Sequence, residues 1–309
     1  MQQTTRFSAL ASAVAFSLSL GACSWSGDNG NEVPALTLLV TPAKGAFGLG
    51  AKCEAFDGAS GASLSTALTD VSGNCSLQTG QFRGPVVVRV CGGVLGVTVF
   101  DETLTPPANV PLGATECLVA AAPAIPAGNS PAIGVTPLTH IAAVAAGVNP
   151  ASATPVAGSA AGITAANTQV KNAILGASFT GFDILDVPVP PRAGTVISTG
   201  STIGVNYGAF VAALAQSTAD PTGAVSSMAR LAALAAEFRA GPNKFTTSVA
   251  TVEGAAARLP AVAASFYGAG FGAGIVGLAT TLRPDANGDG TPTVPPIPTG
   301  IIGSSLTGG

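Results

Sequence analysis

The chain carries two successive patterns of hydrophobic and polar positions. Between residues 35 and 122, short apolar runs alternate with turns rich in Gly, Asp and Asn. About seven such runs at a spacing of roughly ten residues predict an antiparallel β-sandwich. The predicted strands are Leu36–Pro42, Ala51–Asp57, Ser63–Thr69, Asn74–Thr79, Pro85–Cys91, Val97–Thr103 and Thr115–Ala121.

From residue 136 onward the apolar positions recur with the period of a helix. Thr136 can cap a first helix that has Pro137 at its first position. The predicted helices are Leu138–Val148, Thr164–Leu175, Ile203–Gln216, Thr222–Ala240 and a fifth that begins near Phe245, is interrupted at Pro260 and ends at Tyr267. Ala-rich helices can pack closely, so residues 136–283 predict an α-helical bundle. The expected fold class is therefore α+β with two domains.

Two segments show neither the strand pattern nor the helix pattern. Residues 123–135 are rich in Pro, Gly and Ala and predict a linker, and residues 284–309 predict a Gly/Pro-rich tail. No charge lies between Arg258 and Arg283, so a membrane helix with small residues at its interface is an alternative there. The glycine density and Pro260 favour a helix end followed by a loose tail.

The N-terminus has the order of a secretory signal. Arg6 precedes the uncharged, mostly apolar stretch from Phe7 to Leu20, which is too short and too rich in Ser for a stable transmembrane helix. The following Leu20-Gly21-Ala22-Cys23 resembles a bacterial lipobox. That resemblance implies a lipoprotein signal peptide over residues 1–22, acylation such as palmitate on Cys23 and a tether over residues 23–34. Ser24 resembles the outer-membrane sorting pattern, and an ordinary signal peptide with an incidental Cys is the alternative.

The cysteine count agrees with export. Five cysteines are present, and assigning Cys23 to lipid leaves Cys53, Cys75, Cys91 and Cys117. An oxidising compartment favours two disulfide bonds, whereas a zinc site lacks any CxxC spacing and a nearby His. Four cysteines allow three pairings. Strand alternation places Cys53 and Cys75 inward and Cys91 outward, which favours Cys53–Cys75 and Cys91–Cys117.

Composition narrows the function. Only 9% of the residues are charged, and 12 Lys and Arg stand against 15 Asp and Glu. Nucleic-acid binding needs clustered Lys and Arg, so that partner is excluded. With one His and few acids the chain has little material for acid–base catalysis. We therefore expect a protein that is not an enzyme and needs no cofactor.

One stretch of the strand region resembles a known family. The matching pieces are the strand end Ala55-Phe56-Asp57, the turn Thr69-Asp70-x-x-Gly73-Asn74 and the later strand Pro85–Val90. They resemble the carboxypeptidase-regulatory-like, transthyretin-type β-sandwich. The resemblance implies a module that usually serves as a non-catalytic spacer or support. In the turn itself, Asp70 can accept backbone hydrogen bonds and Gly73 can supply a positive φ.

Three further groups are candidates for chemistry. Asp285, Asn287 and Asp289 have the D-x-N-x-D-G opening of a calcium loop, although Pro296 stands where such a loop needs a bidentate Glu. His140 is predicted to be a packed or capping imidazole. Asp101 and Glu102 are adjacent on a predicted strand and are expected to point to opposite faces.

These expectations combine into one functional hypothesis. The sequence predicts a non-catalytic lipoprotein of the cell envelope, held at the outer membrane by its lipid, facing the periplasm or the cell surface. Its role would be adhesion or scaffolding toward an envelope protein or surface ligand. The alternative is a periplasmic or surface lipoprotein that binds a small or apolar ligand in the helical domain.

Overall fold

The computed structural model describes residues 35–93, 96–128, 130–193, 196–197, 202–219 and 224–293. These residues form nine strands in three sheets and six helices, so the fold is mixed α+β. The predicted signal peptide, Cys23, the tether and the chain from residue 294 lie outside the described residues.

The strands follow the predicted pattern closely, with two additions. Their bounds are β1 Leu36–Pro42, β2 Lys52–Asp57, β3 Ser63–Leu68, β4 Cys75–Gly80, β5 Val86–Cys91, β6 Thr98–Asp101, β7 Ala108–Pro111, β8 Cys117–Ala122 and β9 Ala132–Val135. The sheets have the orders β4-β1-β9, β3-β2-β5-β8 and β6-β7. Strands β7 and β9 were not expected from the sequence.

Strand β5 of the four-stranded sheet is buried on both faces. Val86, Val88 and Val90 of β5 point into the main hydrophobic core. On the other face, Val87 joins a second cluster with Ile163. A strand with two buried faces is apolar in nearly every position, which explains the continuous run Val86–Cys91.

The predicted linker contains a strand. Ala132–Val135 forms β9, which pairs in parallel with β1 from Leu39↔Ala132 to Pro42↔Val135. Its four residues carry too little periodicity to be recognised, because the hydrogen bonds that stabilise it come from β1, far away in the sequence. Residues 123–135 therefore differ from the expected structureless linker, and one sheet is not purely antiparallel.

The helices are α1 Pro137–Ala145, α2 Ala160–Ile174, α3 Thr202–Ser217, α4 Ser227–Ala240, α5 Val249–Tyr267 and α6 Ala269–Ala279. Helix α1 begins as predicted, with Thr136 as its cap and Pro137 in its first turn. The Thr136 side chain accepts from the backbone N–H of Thr139, whose hydroxyl accepts from the N–H of Thr136. This capping box satisfies two donors at the buried start of the helix.

The last two helices differ from the predicted helix end and loose tail. Helix α5 runs continuously through Pro260, and α6 follows it directly. Gly272 of α6 lies against Ala264 and the carbonyl of Pro260, where a side chain would crowd both. The glycines of this segment thus permit close helix packing. Within the described residues, no helix combines the length and the apolar character needed to cross a bilayer.

One hydrophobic core connects the strand region and the helical region. It contains Leu38 and Val135 from the strands together with Ile141, Phe210 and Leu259 from the helices. Tyr207 of α3 is buried beside Phe182 in a stacked arrangement, with ring centroids 4.6 Å apart. The two patterns recognised in the sequence therefore pack as parts of one unit.

Candidate functional site

Two disulfide bonds are present, and they have the pairing that strand alternation favours. Cys53–Cys75 joins β2 of the four-stranded sheet to β4 of the three-stranded sheet, and both residues are buried. Cys91–Cys117 joins β5 to β8 at directly opposite positions of one sheet. The first bond therefore connects two sheets, whereas the second reinforces a strand pair that backbone hydrogen bonds already hold.

Asp101 and Glu102 form a buried charged cluster with Lys44. The Lys44 Nζ lies 3.4 Å from Asp101 Oδ1 and 3.7 Å from Glu102 Oε2. All three residues are buried, with 1% exposure for Lys44 and Glu102. The two carboxylates converge because β6 ends at Asp101 and Glu102 begins a turn, so strand alternation no longer separates them. This differs from the expectation that they point to opposite faces.

The two carboxylates have opposite pKa shifts. Burial raises the pKa of Glu102, and the nearby Lys44 charge only partly offsets that effect. For Asp101, burial also acts to raise the pKa, but the Lys44 charge and hydrogen bonds from Thr103 and Ser227 outweigh it, so the pKa is lowered. The surroundings of Asp101 therefore stabilise its charged form beside Lys44, whereas burial shifts Glu102 toward its neutral form.

The cluster joins the strand region to the helices. The Ser227 hydroxyl at the start of α4 donates to Asp101 Oδ2 at 2.8 Å, and Gln216 of α3 donates to the Glu102 carbonyl at 3.1 Å. A neighbouring cavity between α3 and α4, lined by Lys44, Leu214, Leu231 and others, has a volume of about 10 Å³. That volume holds about one water molecule. The arrangement is suited to fixing the helices on the sheets.

A larger cavity lies between α1 and α4, beside the start of β8. Its volume is about 270 Å³, and we call it the α1–α4 cavity. His140 and Met228 both line it, as do Thr115, Glu116, Cys117, Asn149, Pro150, Ala151, Ala229 and Ala232. His140 is only 4% exposed, and its Nδ1 is buried without a hydrogen-bond partner. Burial lowers the pKa of His140 to about 4. The imidazole is therefore neutral at neutral pH.

The candidate calcium loop closes on its own backbone. Asp285 Oδ1 accepts from the N–H of Asp289, Asp285 Oδ2 accepts from Gly290, and Asn287 Nδ2 donates to Asp289 Oδ2 at 2.8 Å. These contacts describe a hydrogen-bonded turn. Among the described residues, no group of three or more His, Cys, Asp or Glu side chains is placed to hold a metal ion.

An exposed apolar surface lies at one end of the strand region. We call it the apolar tip, and it consists of Leu49, Leu68 and Val71, which are 64%, 56% and 84% exposed. Two hydrogen bonds of Thr69 hold the two segments of the tip together. The Thr69 hydroxyl donates to the Gly48 carbonyl at 2.7 Å, and the Thr69 carbonyl accepts from the N–H of Gly50. Sequence patterning did not single out this surface, since it depends on two turns that meet in space.

The turn beneath the apolar tip is rigidly held. Asp70 Oδ1 accepts from the N–H groups of Ser72 and Asn74, as predicted for a capped turn. Gly73 has a φ of 77°, and a side chain there would overlap the Phe47 carbonyl oxygen. Arg192 donates to the Ser72 carbonyl at 2.7 Å, which connects the helical region to the same turn. Val71 is therefore presented by an ordered loop.

Neither a family model, nor a curated protein, nor a solved structure matches this chain.

Proposed function

We propose that this chain is a non-catalytic lipoprotein of the bacterial envelope that binds another envelope protein through the apolar tip. A signal peptide over residues 1–22 and lipid on Cys23 would hold it at the outer membrane. Three large apolar side chains exposed at two adjoining turns carry the proposal, because monomeric proteins rarely leave such groups together in water without a partner.

The direction of strand β1 supports a tip that faces away from the membrane. Strand β1 begins at Leu36, which pairs with Gly80, and its Val40 pairs with Cys75 near the apolar tip. The tether enters at the start of β1, so the tip lies at the opposite end of that strand. A lipid-anchored protein would in this way present the tip away from the membrane to which it is attached.

The strand region also fits a supporting role, as the resemblance to carboxypeptidase-regulatory-like sandwiches implies. Its two larger sheets supply side chains to one core and are linked covalently by Cys53–Cys75. We propose that they form a β-sandwich that supports the tip, followed by a helical bundle. The cavity between α3 and α4 has room for about one water molecule, so the alternative of a small or apolar ligand in the helical domain would need a different cavity.

Lipidation is tested by the intact mass of protein extracted from membranes. We expect a chain that begins at Cys23 and carries the added mass of its acyl chains, and a Cys23→Ala variant that is recovered in the soluble fraction. A wild-type chain cleaved at another residue, or without acyl mass, would contradict the lipoprotein proposal.

The partner surface is tested by cross-linking in intact cells with a paired substitution, Leu49→Ser and Val71→Ser. We expect loss of a specific cross-linked envelope protein with unchanged thermal stability, because both side chains are exposed. Val156→Ser is the matched control, since Val156 is 43% exposed but lies outside the tip. An unaltered cross-linking pattern in the paired variant would remove the tip as the binding surface.

A further inference from the structure

The α1–α4 cavity gathers the scarce soft ligands of the chain. The sequence contains one His, His140, and two Met, of which Met1 lies in the predicted signal peptide and Met228 is the other. Both His140 and Met228 line this one cavity. His140 lies in α1 and Met228 near the start of α4, and these two helices pack against each other.

His140 is available as a ligand. It is nine-tenths buried, and no hydrogen bond occupies its Nδ1. A buried polar atom without a partner calls for an explanation such as a bound ion.

Met228 adds a donor of a particular kind. Its side chain is 7% exposed, and a thioether is a weak acceptor that prefers soft metal ions. Imidazole and thioether are both uncharged, so together they suit a soft monovalent ion better than a hard divalent one.

The cavity provides a route and a favourable charge. Its volume of about 270 Å³ leaves room for an ion to enter. Glu116 lies on its wall, held in place where its Oε2 accepts from the N–H of Gly113 at 2.8 Å. This carboxylate gives the cavity a negative charge that attracts a cation.

We propose that the α1–α4 cavity binds one soft monovalent metal ion, Cu(I) or Ag(I), through the imidazole of His140 and the thioether of Met228. The site is separate from the apolar tip, and it does not depend on the proposed partner.

The direct test is titration of the mature, disulfide-bonded chain with Ag(I), followed by NMR of methyl-¹³C-labelled Met. The mature chain has a single Met, so its methyl resonance reports on Met228 alone. We expect this resonance to shift and to saturate at one equivalent of Ag(I). A resonance that stays unchanged at several equivalents would overturn the proposal without any need for a variant.

Two substitutions separate ligands from packing. Met228→Leu keeps an apolar side chain of similar size, and His140→Gln keeps a polar one. Loss of a side chain that only supports a metal ligand typically weakens metal binding about tenfold or more. We therefore expect loss of a ligand itself to lower the Cu(I) affinity of each variant by at least that factor, measured by competition with a chromogenic Cu(I) chelator. Ala229→Ser, on the same cavity wall, is the control and should bind as the wild type does.

Two other outcomes would also overturn the site. Equal affinity of wild type and Met228→Leu would remove the thioether from the coordination sphere. Binding of Zn(II) as tight as that of Ag(I) would show a site that does not select soft ions. Thermal unfolding of each variant without metal confirms that the comparison is made between folded proteins.

Discussion

The strand region and the helical region are stabilised by different means. The strand region has two disulfides and a charged pair in which Arg89 binds Glu54 through two nitrogens, at 3.0 Å and 2.8 Å. The helical region instead relies on small residues at close contacts and on side chains that cap helix ends. Gly208 of α3, for example, lies against the carbonyl of Val189 and the hydroxyl of Tyr267.

This difference follows from how each region is built. Strands pair over long sequence separations, and a disulfide lowers the entropy of the unfolded chain that must be ordered to make those pairs. Helices satisfy most of their backbone groups locally, so the remaining requirements lie at their ends and where their backbones approach each other. The low content of charged residues suits both strategies, because neither depends on many surface ion pairs.

The largest effect is expected from the disulfide between the sheets. Replacing Cys53 and Cys75 with Ala should lower the free energy of unfolding by about 3–4 kcal/mol, measured by urea denaturation. Removing Cys91 and Cys117 should cost less, about 2–3 kcal/mol. The two bonds close sequence separations of similar size, 22 and 26, so their effects on the unfolded chain are similar. Only the first pair is fully buried in the core, so only its replacement also removes core packing. A larger loss for Cys91 and Cys117 would contradict the assignment of the first bond as the main brace.

The next effect concerns close packing of helices. Gly208→Ala should destabilise the protein by about 2–3 kcal/mol, because a methyl group there would overlap the Val189 carbonyl that accepts the Tyr267 hydrogen bond. A methyl group added at Gly254 of α5 would instead lie in open space. Gly254→Ala should therefore stabilise the protein by about 0.5–1 kcal/mol. Thermal unfolding measures both, and equal shifts in the two variants would show that close approach does not explain the glycine at 208.

The smallest effect is expected at the start of α5. Glu237 of α4 accepts from the N–H groups of Thr246, Thr247 and Ser248 at 2.6, 2.6 and 3.0 Å. Burial acts to raise the pKa of Glu237, but the Ser248 hydroxyl and these backbone donors outweigh it and lower the pKa from 4.5 to about 2. The carboxylate thus stabilises the fold above about pH 4.5, and this contribution is lost as the pH falls toward 2.

Glu237→Gln should therefore cost about 1 kcal/mol at neutral pH, since the carboxylate is only partly buried and water screens it. The difference from wild type should vanish toward pH 2, as followed by urea denaturation at several pH values. Glu253→Gln, which changes a different carboxylate on α5, is the matched control. A constant difference across that pH range would mean that the charge of Glu237 does not contribute.

The sequence predicts those parts of the fold that depend on local pattern. Strand β1 has its predicted bounds, and the alternation around Cys53 and Cys91 predicts the observed disulfide pairing, although Cys91 is itself buried at 6% exposure. The Thr136 cap and the Asp70 turn also follow from local chemistry, because each satisfies backbone groups within a few residues. Strand β7 was missed because its four residues, Ala108–Pro111, include a Pro and no apolar run.

The candidate sites depend much more on tertiary structure. Nothing in the sequence places Lys44 beside Asp101 and Glu102, since the lysine lies in a turn after β1 and the acids lie at the end of β6 and directly after it. His140 could be recognised as the single His, but Met228, which lines the same cavity, comes from a helix distant in the sequence. The apolar tip likewise needs two separate turns to meet.

By itself, therefore, the sequence determined most of the strands and helices, the favoured pairing of the cysteines and the local caps, because these depend on side-chain alternation and short-range hydrogen bonds. Only the tertiary structure decided that the segment after β8 adds the parallel strand β9, that β5 is covered on both faces, and that His140 and Met228 line one cavity. These features depend on contacts between residues far apart in the chain, whose energy no local pattern contains.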